Sequence, residues 1–326
     1  MKPGKALQTG SLADPGRIAI IGAGHVGATA AYALMLRALF REIVLIDSNR
    51  ALAEAEAADI ADANALARPA RVWAGDYADA ASAGIAVITA GGATHGAQTR
   101  LSVAAESAAI VSDCVGSLMD GGFRGVIVVS ANPVDLMTLV AQRRSGLSPA
   151  RVIGTGTLLD TSRLKQSLSQ ALRVSPASVE AFVLGEHGDS EVAAFSTVRI
   201  GGQTLEQFCT SGGVLDEAAI AREVRDAGYE IVKGKGYTSY GVATAIVRIC
   251  EAVVRDERAV LPVSTLLSGQ FGLSDICLSL PCLVGGAGVE RILTPDLDPD
   301  EAVALAASAK VLITAFAAIS GVASAR

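Results

Sequence analysis

Of the three histidines in the chain, His187 sits in Gly185-Glu-His-Gly-Asp-Ser190, a polar, glycine-flanked loop directly after the apolar run Val179 to Leu184. A loop at the end of a buried strand is where a sheet presents reactive groups. An imidazole there, with an ordinary pKa of about 6.5, can both take and give a proton near neutrality. Asp160 and Arg163 lie three apart in a helical stretch and so share a face. The pair has two readings. One is an ion pair on a helix surface, which contributes little. The other uses the carboxylate to orient an imidazole and the guanidinium to clamp a second carboxylate through two parallel hydrogen bonds.

A separate constellation lies near the N-terminus. Gly22-Ala-Gly24-His-Val-Gly27 falls between the β-branched run Arg17-Ile-Ala-Ile-Ile-Gly22 and the Ala/Leu-rich stretch Gly27 to Phe40. In a strand, turn, helix unit of this kind the first glycine permits the turn. The second lets the backbone approach a pyrophosphate, and the third lets helix and strand pack closely. The phosphates then meet the positive end of the helix dipole. Val26 and His25 lie inside this turn, and His25 reads as a structural or cofactor-contacting residue before a catalytic one. Asp47, twenty residues past Gly27 and at the end of the second apolar run Glu42 to Asp47, supplies the acid that hydrogen-bonds a ribose diol. Because an aspartate there repels a 2′-phosphate, the cofactor expected is NAD and not NADP; Arg50, close by in sequence, pulls the other way. Thr89-Ala-Gly91-Gly92 is suited to close approach by the same cofactor.

These residues need elements to hold them. Strand signals at Ile85 to Ala90 and Gly125 to Ser130 alternate with helical stretches at Arg50 to Ala67 and Leu101 to Met119. Such alternation implies parallel pairing through right-handed crossovers. The fold expected is therefore α/β: a Rossmann-type doubly wound parallel sheet over residues 17–154, followed by an α+β substrate or catalytic domain over 155–326. Beyond Pro133 come helices to Ser145 and from Thr157 to Leu172, and strands at Val179 to Leu184 and Ala194 to Gly201. A long helical stretch from Asp216 to Arg255 and late strands at Ala259 to Leu267 and Ile276 to Val284 follow. At 326 residues the chain has room for two such lobes.

Composition narrows the functional classes. A net charge of −6, with no dense Lys/Arg cluster, argues against nucleic acid or an anionic membrane as partner. The apolar stretch Val311 to Ala325 is shorter than the roughly 20 residues of a membrane span and reads as a docked terminal helix. Five scattered cysteines without CxxC spacing suggest buried thiols, no disulfide framework and no metal site. Residues 1–16 lack an apolar core and read as a flexible arm, not a signal peptide; a reducing, cytoplasmic setting is expected.

Several motifs stand together in one order. Gly22 to Gly27, Asp47, Thr99-Arg100-Leu101, Ala131-Asn132-Pro133-Val-Asp135, Leu159-Asp160-Thr-Ser-Arg163, Gly185 to Ser190 and Lys235-Gly-Tyr-Thr-Ser239 resemble, in sequence and spacing, the L-lactate dehydrogenase branch of the lactate/malate dehydrogenase family. The resemblance runs from about Arg17 to about Ile292. It implies that His187 is the general acid/base and that Asp160 fixes its tautomer and stabilises the imidazolium. It implies further that Arg163 holds the substrate carboxylate in a fork lysine cannot reproduce, that Arg100 polarises the reacting carbonyl, that Asn132 bonds the substrate oxygen or the nicotinamide side, and that Thr238 lines the pocket. The partner implied is a small 2-oxo or 2-hydroxy acid, and the assembly a homotetramer, with a dimer as the alternative.

The chain departs from the family at two places. Counting back from Arg100, the position facing the variable part of the substrate is Thr94, where lactate enzymes resemble one another in Gln and malate enzymes often carry Arg; His95 follows it. A short, uncharged Thr94 leaves a second substrate carboxylate without a partner and leaves room for longer 2-oxo acids. Lys165 and Glu180 occupy the positions that carry Arg and His in relatives activated by fructose 1,6-bisphosphate, so no such activation is expected. Two alternatives stand: a malate-type enzyme using His95, and a catalytically silent NAD-binding sensor, for which loss of Asp160, Arg163 or His187 would be the mark.

Overall fold

Four of the five residues of β1 (Arg17–Ile21) are buried, as a β-branched run at the centre of a sheet requires. In this computed structural model, which describes residues 16–67, 70–92, 100–209 and 215–323, β1 is followed by α1 (His25–Leu36), β2 (Glu42–Ile46), α2 (Arg50–Ala67), β3 (Arg71–Ala74) and α3 (Tyr77–Ala80). Next come β4 (Ile85–Ile88), α4 (Arg100–Asp120), β5 (Val126–Val129), α5 (Val134–Ser145) and β6 (Val152–Gly154). The six strands pair in the order β6-β5-β4-β1-β2-β3, all parallel. This is the doubly wound Rossmann order, in which the chain leaves β1 toward opposite sides and opens a crevice at the strand ends. α1 buries Gly27, Ala30, Ala31, Leu34 and Met35, the three-and-four spacing of one helix face.

The second half comprises α6 (Leu158–Leu172), β7 (Val179–Leu184), β8 (Val192–Ile200), β9 (Gln203–Thr204), α7 (Leu205–Phe208), α8 (Glu217–Lys235) and α9 (Tyr240–Val254). It ends with β10 (Ala259–Ser268), β11 (Ser274–Gly285), β12 (Gly288–Ile292) and α10 (Pro299–Ala323). β7, β8 and β9 form a small antiparallel sheet. β10, β11 and β12 do not form a sheet of their own: β10 pairs antiparallel with β6 at Ser264 and Gly154, so the main sheet runs unbroken through nine strands.

Three expectations need correction. The stretch expected as one helix from Asp216 to Arg255 is two, because Gly236 adopts a left-handed φ of 87° and caps α8, a conformation that ends a helix. The short strands β3 and β12 were missed; β3 is four residues long with none fully buried and β12 buries two of its five, so neither carries the long apolar run of a central strand. The terminal helix begins twelve residues earlier than the apolar stretch, with Pro299 at its start and Asp300 and Glu301 in its first turn, a favoured N-terminus. Pro299–Ile319 has a mean hydropathy of 2.0 and the length to cross a membrane. In the fold it lies along the protein, burying Leu305, Ala309, Leu312 and Ile319 in the core and leaving Val303, Val311 and Ile313 exposed.

Candidate active site

The glycine turn closes as its residue types demand. Gly22 has a φ of 103°, and a Cβ on it would meet the Ala90 backbone nitrogen at 2.6 Å; a Cβ on Gly27 would meet the Gly22 oxygen at 1.8 Å. Gly24, the N-cap of α1, makes no side-chain cap, and a Cβ there would meet nothing within 4 Å. The start of the helix is thus open to close approach at Gly24, and the N–H groups of a first helical turn are the ones that receive a phosphate. Asp47 stands beside the turn: its Oδ2 accepts the Ala23 N–H at 2.7 Å and its Oδ1 the Asn49 N–H at 2.8 Å. Arg50 points elsewhere, donating to Glu54 and to the Ala74 and Gly75 carbonyls, so this guanidinium is committed away from a 2′-phosphate. Gly22, Gly24, Gly27 and Asp47 fit the pyrophosphate and adenosine ribose of NAD. Val26 is half-buried in the first turn, His25 is exposed, and Gly91 and Asn132 follow β4 and β5 at the same edge of the sheet.

The second constellation also forms. Asp160 shares the buried face of α6 with Leu164 and Leu168, so the helix carries a carboxylate, 1 % exposed, into the interior. Arg163 Nη1 donates to Asp160 Oδ1 at 2.8 Å, and His187 Nδ1 lies 2.6 Å from Asp160 Oδ2. α6 is registered on the strand that delivers the histidine: Thr161 Oγ1 accepts the Val183 N–H at 2.8 Å, and Thr157 Oγ1 donates to the Val183 carbonyl. Asp160 therefore does both things the sequence left open, pairing with Arg163 and orienting His187.

The electrostatics favour an imidazole that keeps its proton. Burial works against a charged His187, but the Asp160 carboxylate outweighs it and lifts the pKa to about 9. Asp160 is itself held low: burial would raise it, and the opposing charges of His187 and Arg163 prevail.

Four supporting residues were not foreseen. Asp135, on α5, is 2 % exposed and accepts the His187 N–H at 2.8 Å; burial raises its carboxyl to about 6. Ser308, on α10, accepts the Glu186 N–H at 2.8 Å and lies 3.0 Å from Ser190 Oγ. Tyr229, on α8, donates to Asp189 at 2.6 Å. Glu191, the first residue after the loop, is lifted to about 8 by burial and by Asp160, and its Oε1 is buried without a hydrogen-bond partner. Asp135 was visible in the Asn132 to Asp135 motif without a role, whereas Ser308 and Tyr229 reach the loop from more than 39 positions away and leave no local signal. Asp160, His187 and Glu191 offer atoms within 4.8 Å of one another, close enough for a cation, but Asp160 already spends both oxygens on Arg163 and His187.

Thr238 lies between α8 and α9 and is half-buried. Arg100 is the first residue of α4, with its side chain outside what the structure describes. Thr94 and His95 fall outside the described residues.

A Rossmann domain with an open phosphate turn, joined to a buried Asp160–His187 pair, is the combination expected of an NAD-dependent dehydrogenase, which moves a hydride and a proton to or from an alcohol carbon. Comparison with known proteins gives the family. Residues 16–154 match the NAD binding domain of lactate/malate dehydrogenase, and residues 157–320 its alpha/beta C-terminal domain. The chain belongs to the lactate/malate dehydrogenase family. It is 42 % identical over 306 residues to the L-lactate dehydrogenase of Moorella thermoacetica, covering 92 % of this chain and 96 % of that one. It is 41 % identical over 307 residues to that of Thermus aquaticus, covering 93 % and 99 %. Among solved structures, the ligand-bound minor L-lactate dehydrogenase of Enterococcus mundtii superposes with a TM-score of 0.90 at 38 % identity, over 92 % of this chain and 97 % of that one. A lactate dehydrogenase from a Medee basin deep-sea metagenome library gives 0.91 at 36 %, over 94 % and 99 %.

Proposed function

We propose that the protein interconverts pyruvate and L-lactate with NAD, and that its pocket also admits 2-oxo acids with longer side chains. The observation that carries this reading is the shared use of Asp160 by His187 and Arg163. It puts a proton carrier and a carboxylate clamp on one shared support, as a 2-oxo acid, with its carbonyl next to its carboxylate, requires. Arg163 takes the substrate carboxylate as a planar fork. His187, with Nδ1 turned to Asp160, presents Nε2 to the carbonyl oxygen, donating its proton on reduction and recovering it on oxidation. Bound NAD(H) supplies or accepts the hydride. Arg100 polarises the carbonyl, Asn132 bonds the substrate oxygen or the nicotinamide side, and Thr238 and Thr94 shape the space for the rest of the substrate.

The test is turnover of pyruvate, 2-oxobutyrate, 2-oxoisocaproate, phenylpyruvate and oxaloacetate, followed by NADH absorbance, in the wild type and in His187→Asn. The wild type reduces pyruvate and its longer homologues ahead of oxaloacetate. The variant loses roughly 10²–10⁴-fold in turnover, the usual contribution of a general acid/base, with NADH binding nearly intact. Preference for oxaloacetate at neutral pH would move the chain to a malate-type activity.

The assembly belonging to this reading is a homotetramer in the cytoplasm. Exposed apolar side chains support association: Tyr229, Ile231, Val232 and Tyr240 on α8 and α9, and Val303, Val311 and Ile313 on α10. Light scattering on the eluting protein reads the assembly mass directly.

A further inference from the structure

The helix that follows the glycine turn packs on α9 of the substrate lobe, and the turn itself meets that lobe through an aromatic contact. His25, the first residue of α1, stacks on Tyr237, with ring centroids 3.9 Å apart and planes 12° from parallel. His25 belongs to the turn that faces open space at Gly24. Tyr237 follows Gly236, the cap of α8, and immediately precedes Thr238. The Tyr237 ring has a second neighbour, Lys235, whose Nζ lies 4.4 Å from its centroid and 4.2 Å from that of Tyr240, a cation–π arrangement. Lys235 thus bridges the Tyr237 and Tyr240 rings at the α8–α9 corner, and the Tyr237 ring rests on His25 of the cofactor turn.

The same helix is fastened to the catalytic loop. Tyr229 donates to Asp189, two residues from His187, and a Cβ on Gly228 would come within 3.9 Å of Arg163 Nη2. α8 therefore runs past the carboxylate clamp and the histidine loop and ends on the cofactor turn.

We propose that His25 and Tyr237 form an interlobe clasp, a pair of positioning residues that couples occupancy of the cofactor turn to the placement of Thr238 and of α8 beside Arg163. The proposal rests on the reading of the chain as a 2-hydroxy-acid dehydrogenase. A pyrophosphate bound at the turn fixes the backbone that carries His25. The stacked ring then fixes Tyr237, and with it the residue that closes the substrate pocket. Substrate and cofactor consequently tighten each other's binding, and reciprocity requires the same factor in both directions.

The experiment measures that factor. NADH is titrated by its fluorescence against the wild type, His25→Ala, Tyr237→Leu, Tyr237→Phe and the double variant His25→Ala/Tyr237→Leu, each with and without oxamate, an unreactive isostere of pyruvate. The ratio of the two NADH dissociation constants is the coupling, and it cancels whatever His25 contributes to NADH directly. In the wild type oxamate tightens NADH binding. His25→Ala and Tyr237→Leu each reduce the coupling about three- to tenfold, the worth of one stacked aromatic pair. The double variant loses no more than either single one, and Tyr237→Phe keeps the wild-type value because the ring and not the hydroxyl makes the contact. Unchanged coupling in His25→Ala overturns the clasp, as do additive losses in the double variant or a Tyr237→Phe as impaired as Tyr237→Leu. His25 is exposed, so His25→Ala folds and carries the test even if Tyr237→Leu does not. A wild type that reduces no 2-oxo acid and shows no oxamate effect refutes the functional reading and the clasp with it. A wild type with coupling that every variant keeps refutes the clasp alone.

Discussion

Asp160→Asn separates the carboxylate's electrostatic work from its shape. The amide keeps the size of the side chain but removes the charge that lifts His187 from an ordinary 6.5 to about 9, a preference for the imidazolium of about 3 kcal/mol at 1.36 kcal/mol per unit. With that charge gone, burial of the imidazole, which is 29 % exposed, pushes the pKa to its ordinary value or below. Reduction of a 2-oxo acid needs the protonated ring. At pH 8 the wild type is then roughly nine-tenths protonated and the variant roughly one-thirtieth, so kcat/KM for reduction falls about thirtyfold from protonation alone, and by less than about twofold at pH 6. The alkaline limb of the reduction profile should move from near pH 9 to near or below 6.5. Stability follows the same sign: a group whose folded pKa is raised stabilises fully below about 6.5 and loses that contribution as pH rises through about 9. The variant's loss in Tm should accordingly be larger at pH 6 than at pH 10. The assay is a pH series of 2-oxo acid reduction by stopped-flow NADH absorbance, with calorimetric Tm at the two pH extremes. An alkaline limb in the same place in variant and wild type would refute the assignment of Asp160 as the source of the shift.

Other substitutions probe the remaining parts of the site. Glu191→Gln removes a carboxyl whose ionisation is opposed by burial and by Asp160; above pH 8 the wild type bears the cost of ionising it and the amide does not, so the variant's Tm should exceed the wild type's there and converge with it at acid pH. Asp47→Ala should weaken NAD binding and raise the relative rate with NADP, read as the ratio of kcat/KM for the two cofactors. Thr94→Arg should shift that ratio for substrates toward oxaloacetate, since a fixed cation supplies the partner its distal carboxylate otherwise lacks.

The sequence was most legible where a local rule binds it. Gly22 and Gly27 are required by a tight turn and close packing, Gly24 leaves the start of the helix open, and Asp47 is fixed by its distance from them, so the turn expected to cradle the cofactor could be read residue by residue. Val179 to Leu184 was equally plain, an apolar run ending at a glycine. Asp160 and Arg163 were visible as a pair, but a three-residue spacing says only that two side chains share a face; whether the face turns inward depends on Leu164 and Leu168 meeting β7, which is tertiary. Ser308, Asp135 and Tyr229 were invisible as supports because each reaches the loop at 185–190 from a different element. The break at Gly236 was missed because the stretches on both sides are strongly helical, and one glycine in a helical pattern is tolerated more often than it terminates.

The nine-stranded sheet has a mechanical consequence. Lobes that meet only through a linker can swing apart, but here β6 and β10 are neighbours in one ladder, and within the second half a bridge between Gly185 and Ser279 of β11 ties the root of the histidine loop to the same sheet. Swinging the lobes about that seam would break backbone hydrogen bonds in the buried middle of the protein. Access to the crevice therefore has to come from parts that hang off the sheet, while the sheet keeps the proton carrier at a constant height above the cofactor floor. An enzyme built this way works like a vice with a fixed jaw: the sheet is the fixed one, and the α8–α9 corner, which lies outside it, is one part that can travel.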